Sequence, residues 1–277
     1  MINRIYHLAH LLSLDVALGA LAGMYFFVSL LDTAIPAGLY PLLAMAVWVI
    51  YTLDHLLDTF VQADLLRSPR HIFHLKYRKL IFFFMFLVTV GGFMAILMIS
   101  PLRIYLLPGV FLGILILCLR GILKHLGSKG AFLKEFSTAF LYVAGISLAP
   151  LWTCDFCFTG ISIYFFTAYI FVAWLNLLIL SYLDAEVDNK AGFHSILSVM
   201  TPQNLQRLIV GIGVITAVML VLLFVFLHSY HRIHTALLLL MLSVHLIQFM
   251  QHEKIGADTI RQRLEASFLI PILLVLL

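Results

Sequence analysis

Long apolar runs broken by short polar segments dominate the chain. Runs at about 11–31, 36–58, 79–99, 102–119, 132–152, 161–183, 208–228 and 234–250 are each close to the roughly 20 residues that an α-helix needs to cross a hydrocarbon layer. A ninth run starts near 262 and is short. Either its helix begins inside the preceding polar stretch, around Ile260, or it stops before a full crossing. The runs lack the period-two alternation of membrane strands. The pattern therefore predicts an all-α polytopic bundle of nine crossings, or eight if the last falls short, forming a single membrane domain over 1–277. Pro108 falls inside the fourth run, where a kink is expected.

Composition agrees. The 277 residues are 63% hydrophobic and only 11% charged, with a mean hydropathy of +1.09. A water-facing surface on a domain of this size takes roughly 25% charge, so the expected solvent is lipid. The net charge of +4 does not imply nucleic acid, because the basic residues are spread over loops. With the N-terminus in the cytoplasm, the inside segments hold Arg4, Arg67, Arg70, Lys76, Arg78, Lys79, Arg120, Lys124, Lys129, Lys134, Lys190, Arg207, Lys254, Arg261 and Arg263. Only Arg103 and Arg232 lie outside. The positive-inside rule then places the N-terminus in the cytoplasm.

One element recurs. The second run ends in Asp54-His-Leu-Leu-Asp58, and the sixth in Asp184-Ala-Glu-Val-Asp188. Carboxylates four residues apart share a helical face, where they repel each other and oppose the C-terminal end of the helix dipole. Four crossings separate the motifs, so both return to the same, cytoplasmic side. Acids near membrane depth need compensation, and hard oxygen donors suit Mg²⁺ shared with phosphate oxygens. Solvated acids at loop edges are the plainer alternative.

The second motif, Asp184-x-x-x-Asp188-x-Lys190-x-Gly192-x-x-Ser195, resembles the signature that follows the sixth helix in the UbiA superfamily of intramembrane prenyltransferases. Asp54-x-x-x-Asp58 falls where that family has its first Asp cluster. Lys134-Glu135, with Gly145 and Pro150 beyond, is similar to its basic residue and following helix. The chain departs from the family at Ile50 and Tyr51, where an Asn precedes the first Asp pair, and at Arg67-Ser-Pro-Arg70, where the pattern is Arg-x-Arg-Pro.

The resemblance implies nine helices around a central cavity whose cytoplasmic mouth binds a Mg²⁺-diphosphate. It implies transfer of an isoprenyl group, as an allylic cation, from a prenyl diphosphate to a lipid-soluble acceptor. Asp54, Asp58, Asp184 and Asp188 would be the catalytic metal ligands, and Lys134, Lys190, Arg67 and Arg70 would bind diphosphate. A terpene cyclase of the same fold and a non-catalytic metal- or lipid-binding membrane protein are the alternatives.

Further candidates carry plainer readings beside the functional ones. Asn176, two turns before Asp184, and Tyr51 and His55, beside Asp54, either line the cavity or serve as interhelical and interfacial residues. His71 and His74 sit by the same mouth. Asp15, inside the first run, either faces the cavity or, on the plainer reading, pairs with a basic group. Cys154 and Cys157 read as small thiols in an outer loop, with a disulfide as the alternative. His228, His231 and His234 have metal-like spacing without supporting partners.

Overall fold

The computed structural model describes residues 9–61, 69–154, 157, 159–184 and 196–276, and among these every regular element is helical. In chain order they are α1 (Leu14–Leu30), α2 (Leu39–Val61), α3 (Pro69–Lys76), α4 (Arg78–Met98), a 3₁₀ segment (Ser100–Tyr105) leading into α5 (Leu106–Leu126), α6 (Ala131–Thr153), α7 (Gly160–Leu183), α8 (Pro202–Phe226), α9 (Ser229–Met250) and α10 (Ala257–Ser267), followed by a last 3₁₀ segment (Ile270–Leu276).

Local chemistry explains the helix ends. Thr159 and Ser162 form a reciprocal capping box at the start of α7, satisfying two backbone donors that the first turn would otherwise orphan. Thr201 caps α8 and Pro202 occupies its first position, where a missing N–H costs nothing. At the end of α1, Asp32 takes the left-handed conformation (φ 46°). Thr33 N–H bonds to Val28 O at 3.1 Å and Asp32 N–H to Ser29 O at 3.2 Å, which closes the helix. Pro108 lies inside the span Ser100–Leu123, just after its 3₁₀ part gives way to α-helix. The preceding stretch is 3₁₀ and α5 starts at Leu106, so Pro108 sits in a first turn, where no intrahelical donor is lost.

Among the described residues, seven helical segments are long and apolar enough to cross a membrane: Leu39–Leu57, Arg78–Met98, Ser100–Leu123, Ala131–Thr153, Gly160–Leu183, Pro202–Phe226 and Ser229–Met250. Leu14–Leu30 is a shorter apolar helix. Helices α4 and α5 leave large apolar side chains uncovered, such as Phe86 at 65% and Phe111 at 69% exposure. Apolar surface on this scale is stable against lipid, not water. The chain is thus a helical membrane bundle.

Two groups of helices pack together. In one, α1 contacts α2 and α6, with α4 against α2 and α5 against α6. In the other, α7 contacts α8 and α9. The α6–α7 pair joins the groups, and α10 with the last 3₁₀ segment packs between α1 and α9. The core centres on Tyr169 of α7, whose ring meets Phe26, Phe27 and Phe268 at centroid distances of 5.5, 5.6 and 6.4 Å.

Close approach at the centre depends on Gly19 and Gly23, a G-x-x-x-G pair on α1. A Cβ on Gly19 would lie 3.0 Å from Phe268 Cβ. One on Gly23 would lie 2.6 Å from Ile146 Cδ1 and 2.9 Å from the Tyr169 hydroxyl. Small residues at this spacing let helices associate where no hydrophobic effect drives them.

Candidate active site at the motif end

Asp54 lies near the C-terminal end of α2, with Trp48, Tyr51 and His55 on nearby turns. The Trp48 indole N–H donates to Leu12 O at 2.8 Å. The His55 ring packs edge-on to Tyr51 at 4.7 Å and against His74 of α3 at 5.5 Å. Asp54 pairs with Arg120 of α5, both side chains being about half exposed. Asp58 occupies the last turn of α2, and its side chain lies outside the described residues.

Asp184 is the C-cap of α7, where unpaired carbonyls make a carboxylate unfavourable. Arg261 of α10 offsets this by donating to both Asp184 oxygens. Glu265 follows one turn later on the same helix and faces Tyr51 of α2. The Arg261 guanidinium therefore lies between the two motif-bearing helices.

One turn along α10, Glu265 completes the link. Its Oε1 faces the Tyr51 hydroxyl at 3.5 Å, and its Oε2 lies 3.2 Å from His10 Nδ1, which also donates to Asp15 at 2.7 Å. Asp15 therefore has a basic partner, as on its plainer reading. The neighbouring α6–α7 contact is polar too: buried Glu135 accepts from the Ser181 hydroxyl at 2.8 Å, one turn before Asp184. Asp54, Tyr51, Glu265, Arg261, Asp184 and Glu135 thus belong to one end of the bundle.

An apolar groove of about 590 Å³ runs beside this end between α1, α2 and α4, with Leu12, Ala17, Met45, Trp48, Tyr77 and Ile81 among its walls. Trp48 lies two turns before His55, so the groove starts next to the polar network.

The other expected residues are distributed as follows. Lys134 is exposed beside Glu135. Arg70 lies on α3, its side chain outside the described residues. Arg67 and all of the second motif after Asp184, Asp188 and Lys190 included, also lie outside them. Asn176 is buried, and its Oδ1 has no hydrogen-bond partner among the described residues. At the opposite end Cys154 and Cys157 are joined in a disulfide, and Cys118 is free and exposed. The two thiols expected there are therefore a bridge: their Cα atoms are 5.5 Å apart, within disulfide reach. His234 is engaged with Ser29 Oγ at 3.0 Å and Tyr230 O at 3.2 Å, which is a packing role.

As a test of Mg²⁺ fit, Asp54 and Asp184 are partly open carboxylates, with side-chain exposures of 50% and 36%. Such donors suit an ion that keeps waters and shares phosphate oxygens. The one cluster of three ligand-type side chains among the described residues is different: His10, Asp15 and Glu265, all buried. An imidazole nitrogen and two enclosed carboxylates leave no face for a diphosphate.

Sequence reasoning missed Arg261, Glu265, Arg120 and His10 as partners. The available signal was Arg261-x-x-x-Glu265, an i, i+4 pair on one helical face, in a polar stretch read as the approach to the last crossing. Compared with protein-family models, curated proteins and solved structures, the chain matches none.

Proposed function

We propose that the chain is an integral membrane prenyltransferase of the UbiA type, moving an isoprenyl group from a prenyl diphosphate to a lipid-soluble acceptor. Among the described residues, the seven long segments and α1 make eight apolar helices. Polar α10 leads from the motif end into a final apolar 3₁₀ segment of 7 residues, too short to cross alone. The motif end is cytoplasmic in this account, following the basic residues.

The carrying observation is the joining of both Asp-motif helices at one end, through Asp184–Arg261 and Tyr51–Glu265, beside an apolar groove. Asp54, Asp58, Asp184 and Asp188 hold the cation, and Lys134, Lys190, Arg67 and Arg70 neutralise phosphate. Mg²⁺, when bound, supplies charge stabilisation to the departing diphosphate. The groove receives the isoprenoid tail, with Trp48 in its wall next to the polar end. The allylic C–O bond breaks with its electron pair kept by the diphosphate, and an acceptor π or lone pair then attacks the cation and loses a proton.

A second reading, non-catalytic binding of a metal or lipid head group, draws on both described motif acids being engaged by arginines. Incubating the purified protein with geranyl, farnesyl and geranylgeranyl diphosphates plus membrane lipid extract separates the two. Mg²⁺-dependent pyrophosphate release with a prenylated lipid in the mass spectrum supports transfer. Release with a cyclic terpene indicates cyclisation, and no release at any chain length supports the binding reading.

A further inference from the structure

We propose that Arg261 of α10 is a diphosphate-binding residue that changes partner, leaving Asp184 for the substrate's phosphate oxygens when the acidic motif takes up its cation. The inference rests on the prenyl diphosphate reading above and names a residue outside the set that the motifs suggest.

Three observations carry it. Arg261 reaches Asp184 through a single nitrogen, Nη2, which serves both carboxylate oxygens. A guanidinium has five N–H donors in a planar fork. Its Nε and Nη1 N–H groups have no hydrogen-bond partner among the described residues, so each can donate singly to a further oxygen. Both bidentate faces of the guanidinium include Nη2, so two-point binding of a phosphate, which arginine suits, opens when Asp184 is released.

The position is also right. Arg261 bonds to Asp184 at the end of α7, and Glu265, one turn along the same helix, faces Tyr51 of α2, the helix that carries Asp54. A diphosphate held between Asp184 and the Tyr51 face of α2 would lie next to this guanidinium.

Charge balance then favours the exchange. A carboxylate that donates to a divalent cation no longer needs a guanidinium, and Glu265 is already served by His10 and Tyr51. The released Arg261 faces an anion whose charge grows as the C–O bond opens, which is where a fixed positive group lowers a barrier.

The test is calorimetric titration of inorganic pyrophosphate into detergent-solubilised wild type, Arg261→Gln, Arg261→Lys, Asp184→Asn and the Asp184→Asn/Arg261→Gln double variant. Each is titrated in Mg²⁺ and in EDTA, with thermal melting as the fold control. In Mg²⁺, Arg261→Gln weakens binding by about tenfold or more, as loss of a charge-assisted contact does, and Arg261→Lys recovers part of it. In EDTA, Asp184→Asn frees the guanidinium and binds pyrophosphate more tightly than wild type, and the double variant loses that gain. A purely structural Arg261 gives no such gain. Equal affinity of wild type and Arg261→Gln, or no gain in Asp184→Asn, overturns the proposal. Wild type that binds no pyrophosphate even in Mg²⁺ overturns the underlying reading as well. If Arg261→Gln fails to fold, the EDTA comparison of Asp184→Asn with wild type still decides.

Discussion

Arg261 and Asp184 are 77 residues apart in sequence and form an ion pair at the end of the bundle where both acidic motifs are found. The pair fastens α10 to the C-terminal end of α7, and Glu265, one turn further, fastens α10 to α2 through Tyr51. A single short polar helix therefore holds the two motif-bearing helices in register.

This arrangement has an energetic signature. Asp184 is about one-third exposed and Arg261 much less, so the pair falls between an exposed salt bridge and a buried one. A double-mutant cycle of Asp184→Asn and Arg261→Gln in detergent unfolding should give a coupling of about 1–2 kcal/mol. A coupling near zero would mean that α10 is held by its apolar face alone.

Ser181→Ala leaves the buried Glu135 carboxyl without the hydroxyl that donates to it at 2.8 Å. Loss of a hydrogen bond to a buried acid costs about 1–3 kcal/mol. Thermal melting of this variant should fall, and Ser181→Thr, which keeps the hydroxyl, should fall less.

Packing at α1 makes a sharper contrast. Gly23→Ala drives a methyl into Ile146 and the Tyr169 hydroxyl and should destabilise by about 1–3 kcal/mol, as overpacking does. Gly91→Ala on α4 meets nothing within 4 Å and should be neutral or slightly stabilising. Equal effects at the two positions would show that α1 is not closely packed at Gly23.

Ala44→Phe narrows the groove between α1, α2 and α4. If the tail lies there, KM for geranylgeranyl diphosphate should rise about five- to tenfold, with a smaller change for geranyl diphosphate, because the longer chain loses more buried apolar surface. Parallel changes for all chain lengths would place the tail elsewhere.

At the other end, thiol labelling checks the disulfide. Under denaturing, non-reducing conditions one cysteine, Cys118, should react, and all three should react after reduction, since Cys154 and Cys157 are bonded. Three reactive thiols without reductant would exclude the bridge.

The helices were legible in the sequence because lipid removes ambiguity. A segment such as Gly160–Leu183 is apolar on every side and long enough to cross, so its class needs no tertiary information. The start of α5 was not legible, because Pro108 inside an apolar run has the same appearance whether the preceding turns are α or 3₁₀. Asp54 and Asp184 stood out through their repeated spacing, which is local. Their arginine partners did not, because Asp54–Arg120 and Asp184–Arg261 are set by how distant helices pack. The buried cluster of His10, Asp15 and Glu265 was hidden for the same reason, since its members come from the two ends of the chain. For Cys154 and Cys157, spacing alone permits thiols or a bridge, and only the separation of their Cα atoms decides.

The central claim is that the two acidic motifs jointly bind a prenyl diphosphate with Mg²⁺. Its most direct measurement is calorimetric binding of farnesyl thiodiphosphate, which reacts too slowly to turn over, to wild type and to Asp54→Asn and Asp184→Asn variants, each in Mg²⁺ and in EDTA. The account predicts binding to wild type that requires Mg²⁺ and that either substitution weakens by about tenfold or more. Binding that is indifferent to Mg²⁺ and to both substitutions, or no binding at all, would contradict it.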